Sequence, residues 1–138
     1  MHVIINIDGG SRGNPGLAGA GVVIKSADDG TVLHQAGIFL GEATNNVAEY
    51  QGLIEGLRRA KKLTATNVEV FSDSELLVRQ MNGQYRVKNA GLKPLFDKAN
   101  SLTANFEKFC ISHVRREQNT QADEMANKAM NLKRTIEE

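Results

Sequence analysis

The sequence has no tryptophan, one cysteine, two prolines and two tyrosines among its 138 residues. With Cys110 alone no intramolecular disulfide can form, and a single thiol fits a reducing compartment. No apolar run approaches the roughly 18 residues of a membrane-spanning helix. The N-terminal Met1-His2-Val3-Ile4-Ile5 lacks the basic stretch and cleavage site of a secretory signal, so a cytoplasmic location is expected. Neither sign of charge dominates. Seventeen Lys+Arg stand against 16 Asp+Glu for a net charge of +1, a balance that on its face disfavours a polyanionic partner. Internal repeats, low-complexity segments and linkers are missing too. What is present, 41% hydrophobic and 24% charged residues, is the composition of a foldable domain. A chain of this length buries roughly two thirds of its unfolded surface without a staple. One domain over residues 1–132 is expected, with a frayed tail over 133–138.

The charge is unevenly spread. Residues 1–50 hold two basic residues, Arg12 and Lys25, against five acids; residues 51–138 hold 15 basic against 11 acidic. Arg58-Arg59-Ala60-Lys61-Lys62 sits where cations favour a helix C-terminus. No acid occurs between Glu75 and Asp97, where Arg79, Arg86, Lys88 and Lys93 fall with Tyr85 among them. A solvated loop and a phosphate-contacting surface both fit that stretch.

Hydrophobic periodicity gives the elements. His2 to Asp8 reads as a buried strand, Ser11 to Gly16 as a turn, and Ala20 to Lys25 and Thr31 to Leu40 as two more strands. Short connections favour antiparallel pairing of these three. The period then changes: Val47, Tyr50, Leu53, Ile54, Leu57, Ala60 and Leu63 repeat at helical spacing, with Thr44 or Asn45 able to cap. Val68 to Ser72 is a fourth strand, Asp73-Ser74 caps a helix through Met81, and Leu92 to Ala104 is a further helix. Phe106 to Val114 is a fifth strand, and Asn119 to Leu132 a final helix with Ala122, Met125, Ala126, Ala129 and Met130 inward. This order predicts an α/β fold: a five-stranded mixed sheet, three antiparallel strands extended by parallel ones, with helices on both faces.

Four acids fall in costly places. Asp8 and Asp73 end strands, where caps and turn formers are also common. Glu49 lies about 40° from Leu53 on its helix, on the apolar side, whereas Glu55 points about 200° away into solvent. Asp123 sits about 60° from Ala126, again inward. A carboxylate aimed at a core costs several kcal/mol unless compensated. If the first and fourth strands are neighbours, Asp8 and Asp73 emerge together at their carboxyl ends, where ligands bind in open α/β sheets. Four oxygen donors with no Cys or His pairs select Mg2+ or Mn2+ over zinc. Two such ions about 4 Å apart suit phosphodiester hydrolysis.

Four segments, in order, carry these acids: Asp8-Gly9-Gly10-Ser11-Arg12-Gly13-Asn14-Pro15-Gly16, then Thr44-Asn45-Asn46-Val47-Ala48-Glu49, then Asp73-Ser74, then His113 followed ten residues on by Asp123. Together they resemble type 1 ribonuclease H over residues 2–132. The resemblance implies the ribonuclease H-like fold and an endonuclease that cuts the RNA strand of RNA/DNA hybrids, largely without sequence preference. It makes Asp8, Glu49, Asp73 and Asp123 the catalytic, metal-binding acids for two Mg2+ or Mn2+ ions. His113 matches the histidine used near the leaving group, for proton transfer or product release; a strand-end histidine that only hydrogen-bonds is the plainer alternative. Asn14, Thr44, Asn45 and Asn46 match positions that contact the hybrid backbone, and the same residues also suit turn and cap chemistry.

Two departures qualify the likeness. The Trp- and Lys-rich basic protrusion of many bacterial members is replaced by the short, tryptophan-free Gly83 to Lys93. The loop after His113 is Val-Arg-Arg-Glu-Gln-Asn, which makes Arg115 and Arg116 candidates for phosphate contact. This short form resembles branches in which some members also cut double-stranded RNA, so that duplex is a candidate second partner. A monomer is expected, with no obligate protein partner, no membrane and no hybrid-binding domain ahead of residue 8. The rivals are another nuclease on the same scaffold, a silent nucleic-acid-binding module, and a domain for a small phosphorylated ligand. The last lacks a phosphate-cradling Gly-Lys loop. Without the four acids, the net charge of +1 becomes +5. Near-neutrality therefore hides an acidic site in a basic remainder, whose modest affinity for a polyanion should fall with salt.

Overall fold

The computed structural model describes residues 1–138. Strands β1 (His2–Gly13), β2 (Gly16–Ser26) and β3 (Val32–Ala43) form an antiparallel meander. Helix α1 (Asn45–Lys62) then crosses over to β4 (Asn67–Ser72), which pairs parallel with β1. Helices α2 (Glu75–Met81) and α3 (Lys93–Thr103) lead to β5 (Lys108–His113), parallel to β4. A short 3-10 turn at Arg116–Gln118 precedes α4 (Thr120–Leu132) and a two-residue strand, β6 (Ile136–Glu137). The sheet order is β5-β4-β1-β2-β3-β6. No helix is long and apolar enough to cross a membrane.

The mixed sheet with helices on both faces matches the expectation, except that it has six strands instead of five. The sixth corrects the frayed tail. Residues 136–137 pair with Ala36 and Gly37 of β3, Glu137 meets Arg59, and Ile136 packs beside Val23, Ala122 and Met125. One apolar residue in a charged stretch leaves no periodicity from which to read a strand.

The two faces are packed differently. Val3, Ile5 and Ile7 of β1 and Val22 and Ile24 of β2 meet Leu53, Ile54 and Leu57 of α1 in a core of 22 buried residues. On the other face the apolar cluster is only Val23, Ala122 and Met125, because α4 lies almost on the sheet backbone. Gly21 makes this possible: a Cβ there would fall 1.8 Å from the Ala122 carbonyl oxygen. Close backbone approach replaces side-chain volume on this side and sets α4 low over β2 and β3.

β1 is longer than expected. Ser11 to Gly13, read as a turn, continue the ladder opposite Gly16 to Ala18, and only Asn14-Pro15 make the bend. Cross-strand pairing overrides the turn chemistry of Gly and Ser there. β5 is shorter than expected, beginning at Lys108, because Asn105 and Phe106 close the turn after α3.

Candidate active site

Asp8 lies on β1 opposite Gly21, and Asp73 directly follows Ser72 at the end of the neighbouring β4. The parallel pairing of those strands brings both acids to one end of the sheet. Glu49 opens the second turn of α1. Thr44 caps that helix, its hydroxyl oxygen accepting from the Val47 N–H at 3.3 Å. Gly9 lets the helix start lie against β1: a Cβ there would sit 2.4 Å from the Ala48 carbonyl and the Glu49 nitrogen. Asp123 comes from the first turn of α4. That turn is pinned by Asn119, 2% exposed, which donates to the Ile7 carbonyl at 2.8 Å and accepts from Asn6 Nδ2 at 3.1 Å. Asn119 thus fixes Asp123 beside Asp8. From sequence it read only as a helix start, since its buried partners lie more than 110 residues away.

All four acids line one open cleft of about 950 Å3, together with His113, Asn45, Asn46, Arg115 and Arg116. His113 pairs with Ser72 across β4 and β5, one strand over from Asp73. Asn14 and Thr44 do not line the cleft; they shape its rim. Asn14 Oδ1 accepts from the Asn45 N–H at 3.1 Å, and Asn45 Oδ1 accepts from the Ser11 N–H at 2.7 Å. Arg12, Asn127 and Ser74 also face the cleft and were not among the candidates.

The acids are under electrostatic stress. Burial, the neighbouring Asp73 and the nearby Asp123 push the Asp8 carboxyl up to about 8, although the Gly9 N–H pulls it down. Burial pushes Glu49 up to about 7, partly offset by the Ser74 hydroxyl. Glu49 Oε2 is buried with no hydrogen-bond partner, so that oxygen is left uncompensated within the chain. In their present rotamers no three of the side chains close around a single point at ligand distance. The donor set nevertheless fits a hard cation: oxygen donors, an orphaned buried oxygen, and two acids whose carboxyls burial and the neighbouring Asp73 push upward.

The family model described as reverse transcriptase-like matches residues 6–129. The structure is similar to that of ribonuclease H1 from Halobacterium salinarum, at 37% identity over 95% of this chain and 98% of that one, with a TM-score of 0.92. The chain belongs to the type 1 ribonuclease H family. It is also similar, at 43% identity and a TM-score of 0.90 over 95% of this chain and 98% of the other, to LC11-RNase H1 in its complex with an RNA/DNA hybrid. Among curated proteins it is 50% identical over 130 residues to the bifunctional protein Rv2228c of Mycobacterium tuberculosis. That match takes in 94% of this chain but 36% of the relative, so the chain spans about a third of the mycobacterial protein's length.

Proposed function

We propose that this cleft hydrolyses the RNA strand of RNA/DNA hybrids, with Asp8, Glu49, Asp73 and Asp123 holding two Mg2+ or Mn2+ ions. The observation that carries the reading is the convergence of four acids from four separate elements, one of them with a buried oxygen that nothing in the chain satisfies. The hybrid complex of LC11-RNase H1 supports the choice of substrate. Bound there, the two ions would supply an activated water and neutralise charge on the leaving oxygen.

The chain's own residues do the rest. Asp8 and Glu49 must lose their protons to bind cations, so occupancy and activity rise with pH through about 7 to 8. His113, on the exposed end of β5, passes a proton to the departing 3′ oxygen, leaving a 3′-hydroxyl and a 5′-phosphate. Asn14, Asn45 and Thr44 each use an acceptor oxygen internally. Their amide and hydroxyl hydrogens then remain for phosphate and 2′-hydroxyl oxygens, and Asn46 stands beside them in the cleft. These contacts are to backbone groups, hence the weak sequence preference. Arg115 and Arg116 carry no ion pair and add positive charge beside His113.

The test is cleavage of labelled RNA/DNA hybrid, double-stranded RNA and junction DNA, each with Mg2+, with Mn2+ and with chelator. Asp8→Asn serves as the control. Hybrid cleavage that needs metal and Asp8 is expected. Junction cleavage with an intact hybrid would replace this reading with that of a resolvase, and cleavage in chelator would remove the metals.

A further inference from the structure

Beyond the acids, one side chain in the cleft is charged, unpaired and held in place. Arg12 shares the period-2 face of β1 with Asp8, two positions past Gly10. At Gly10 the space a side chain would fill is open, so the cleft floor runs unobstructed from Asp8 to Arg12. Four residues of strand separate the two by at most about 13 Å. Arg12 therefore sits further along the cleft floor than the acids, where a neighbouring part of the same strand would pass.

Helix α4 holds the guanidinium. Asp123, Asn127 and Asn131 recur every four residues and form one row along the helix. Asn127 donates its amide to the Asp123 carbonyl at 3.0 Å, which turns its Oδ1 toward the cleft. Arg12 Nη2 donates to that oxygen at 3.3 Å and to Asn131 Oδ1 at 2.6 Å. Both partners are neutral, so the positive charge is not cancelled, and no carboxylate pairs with Arg12. Nε and Nη1 are left to donate. A fixed fork with two nitrogens free is the geometry that grips a phosphate.

We propose that Arg12, positioned by Asn127 and Asn131, binds a backbone phosphate of the substrate strand on the side of the acids away from His113. Arg115 and Arg116 follow β5 at the sheet edge, whereas Arg12 lies beyond Asp8 toward β2 and α4. The cleft is thus cationic on both sides of an acidic centre, a pattern that fits a linear polyanion crossing it. This rests on the hybrid-cutting reading and adds to it a binding residue with its own support.

The test is the KM for RNA/DNA hybrid across a salt series in Mg2+, with melting temperatures taken in parallel. Arg12→Ala is expected to raise KM about 5- to 10-fold at moderate salt, with kcat changed much less. It should also flatten the slope of log(kcat/KM) against log salt by about 1. Arg12→Lys keeps the charge and most of the slope but not the held fork, so it recovers KM only in part. Asn131→Ala moves KM the same way by a smaller factor. If the wild type cuts hybrid while Arg12→Ala keeps its KM and slope, the assignment of Arg12 is overturned and the hybrid reading stands. A lower melting temperature with an unchanged slope makes Arg12 a structural tie between β1 and α4, which also overturns it. If the wild type neither binds nor cuts hybrid, both readings fall.

Discussion

The two ends of α1 present the same inward geometry with opposite energetics. From its third turn on, Leu53, Ile54, Leu57 and Ala60 are each at most 1% exposed and pack on β1 and β2. Each large apolar side chain contributes about 1.5–3 kcal/mol by leaving water. One turn earlier Glu49 points inward too, and its Oε2 finds no partner. The cap at Thr44, the helical spacing and the close approach at Gly9 are all in order around it. The position is therefore set for something other than stability. A break in local consistency of this kind accompanies functional sites, in line with the role proposed for the four acids.

That contrast can be broken from either end. On the acidic side, Asp73→Asn is expected to lower hybrid cleavage by about 10^3-fold or more, about 4 kcal/mol in the barrier. Circular dichroism and thermal melting should show the fold retained. On the apolar side, Leu57→Ala should cost about 2–5 kcal/mol of stability in denaturant titrations while kcat per folded molecule stays near wild type. A loss of activity without loss of stability for Leu57→Ala would erase the distinction.

Gly21→Ala sits between the two regions. The added methyl would meet the Ala122 carbonyl, so α4 must lift, at a cost of about 1–3 kcal/mol. Asp123 would move with the helix. Stability and kcat should therefore fall together, a pairing that neither of the first two variants shows.

A smaller effect comes from pH. The folded-state values of Asp8, about 8, and Glu49, about 7, lie above the roughly 4 of an unfolded carboxyl. Between those limits the folded chain binds protons the unfolded chain has released, so stability is full below about pH 4 and declines as pH rises toward 8. The metal-free protein should melt lower at pH 8.5 than at pH 5.5, by about 1–3 kcal/mol of stability. Asp8→Asn should flatten the curve, and Mg2+ should restore more stability at the higher pH.

Much of this organisation was legible from residue pattern. The apolar rows of α1 and α4, the caps at Thr44 and Ser74 and the inward aim of Glu49 and Asp123 follow from helical period alone. Pairing that overrides local chemistry was not legible. Ser11 to Gly13 have turn-forming chemistry and become strand only because Gly16 to Ala18 lie opposite. Arg12 consequently looked like a turn residue, although the structure places it along the cleft floor. Asn119 looked like no more than the start of a helix, but its amide is spent on β1. Ile136 gave no period, yet β3 offers it an edge. In each case the deciding partner lies across the sheet or on another element, where local pattern carries no information.

On the proposed function, the inward acids are tolerated because a hard cation compensates them. Calorimetric titration of Mn2+ into the metal-free protein at pH 7, in two buffers of different ionisation enthalpy, tests it most directly. Binding should release protons from Asp8 and Glu49, giving a buffer-dependent heat in the wild type that shrinks in Asp8→Asn. No binding, or binding of equal strength in both proteins with no proton released, would contradict it.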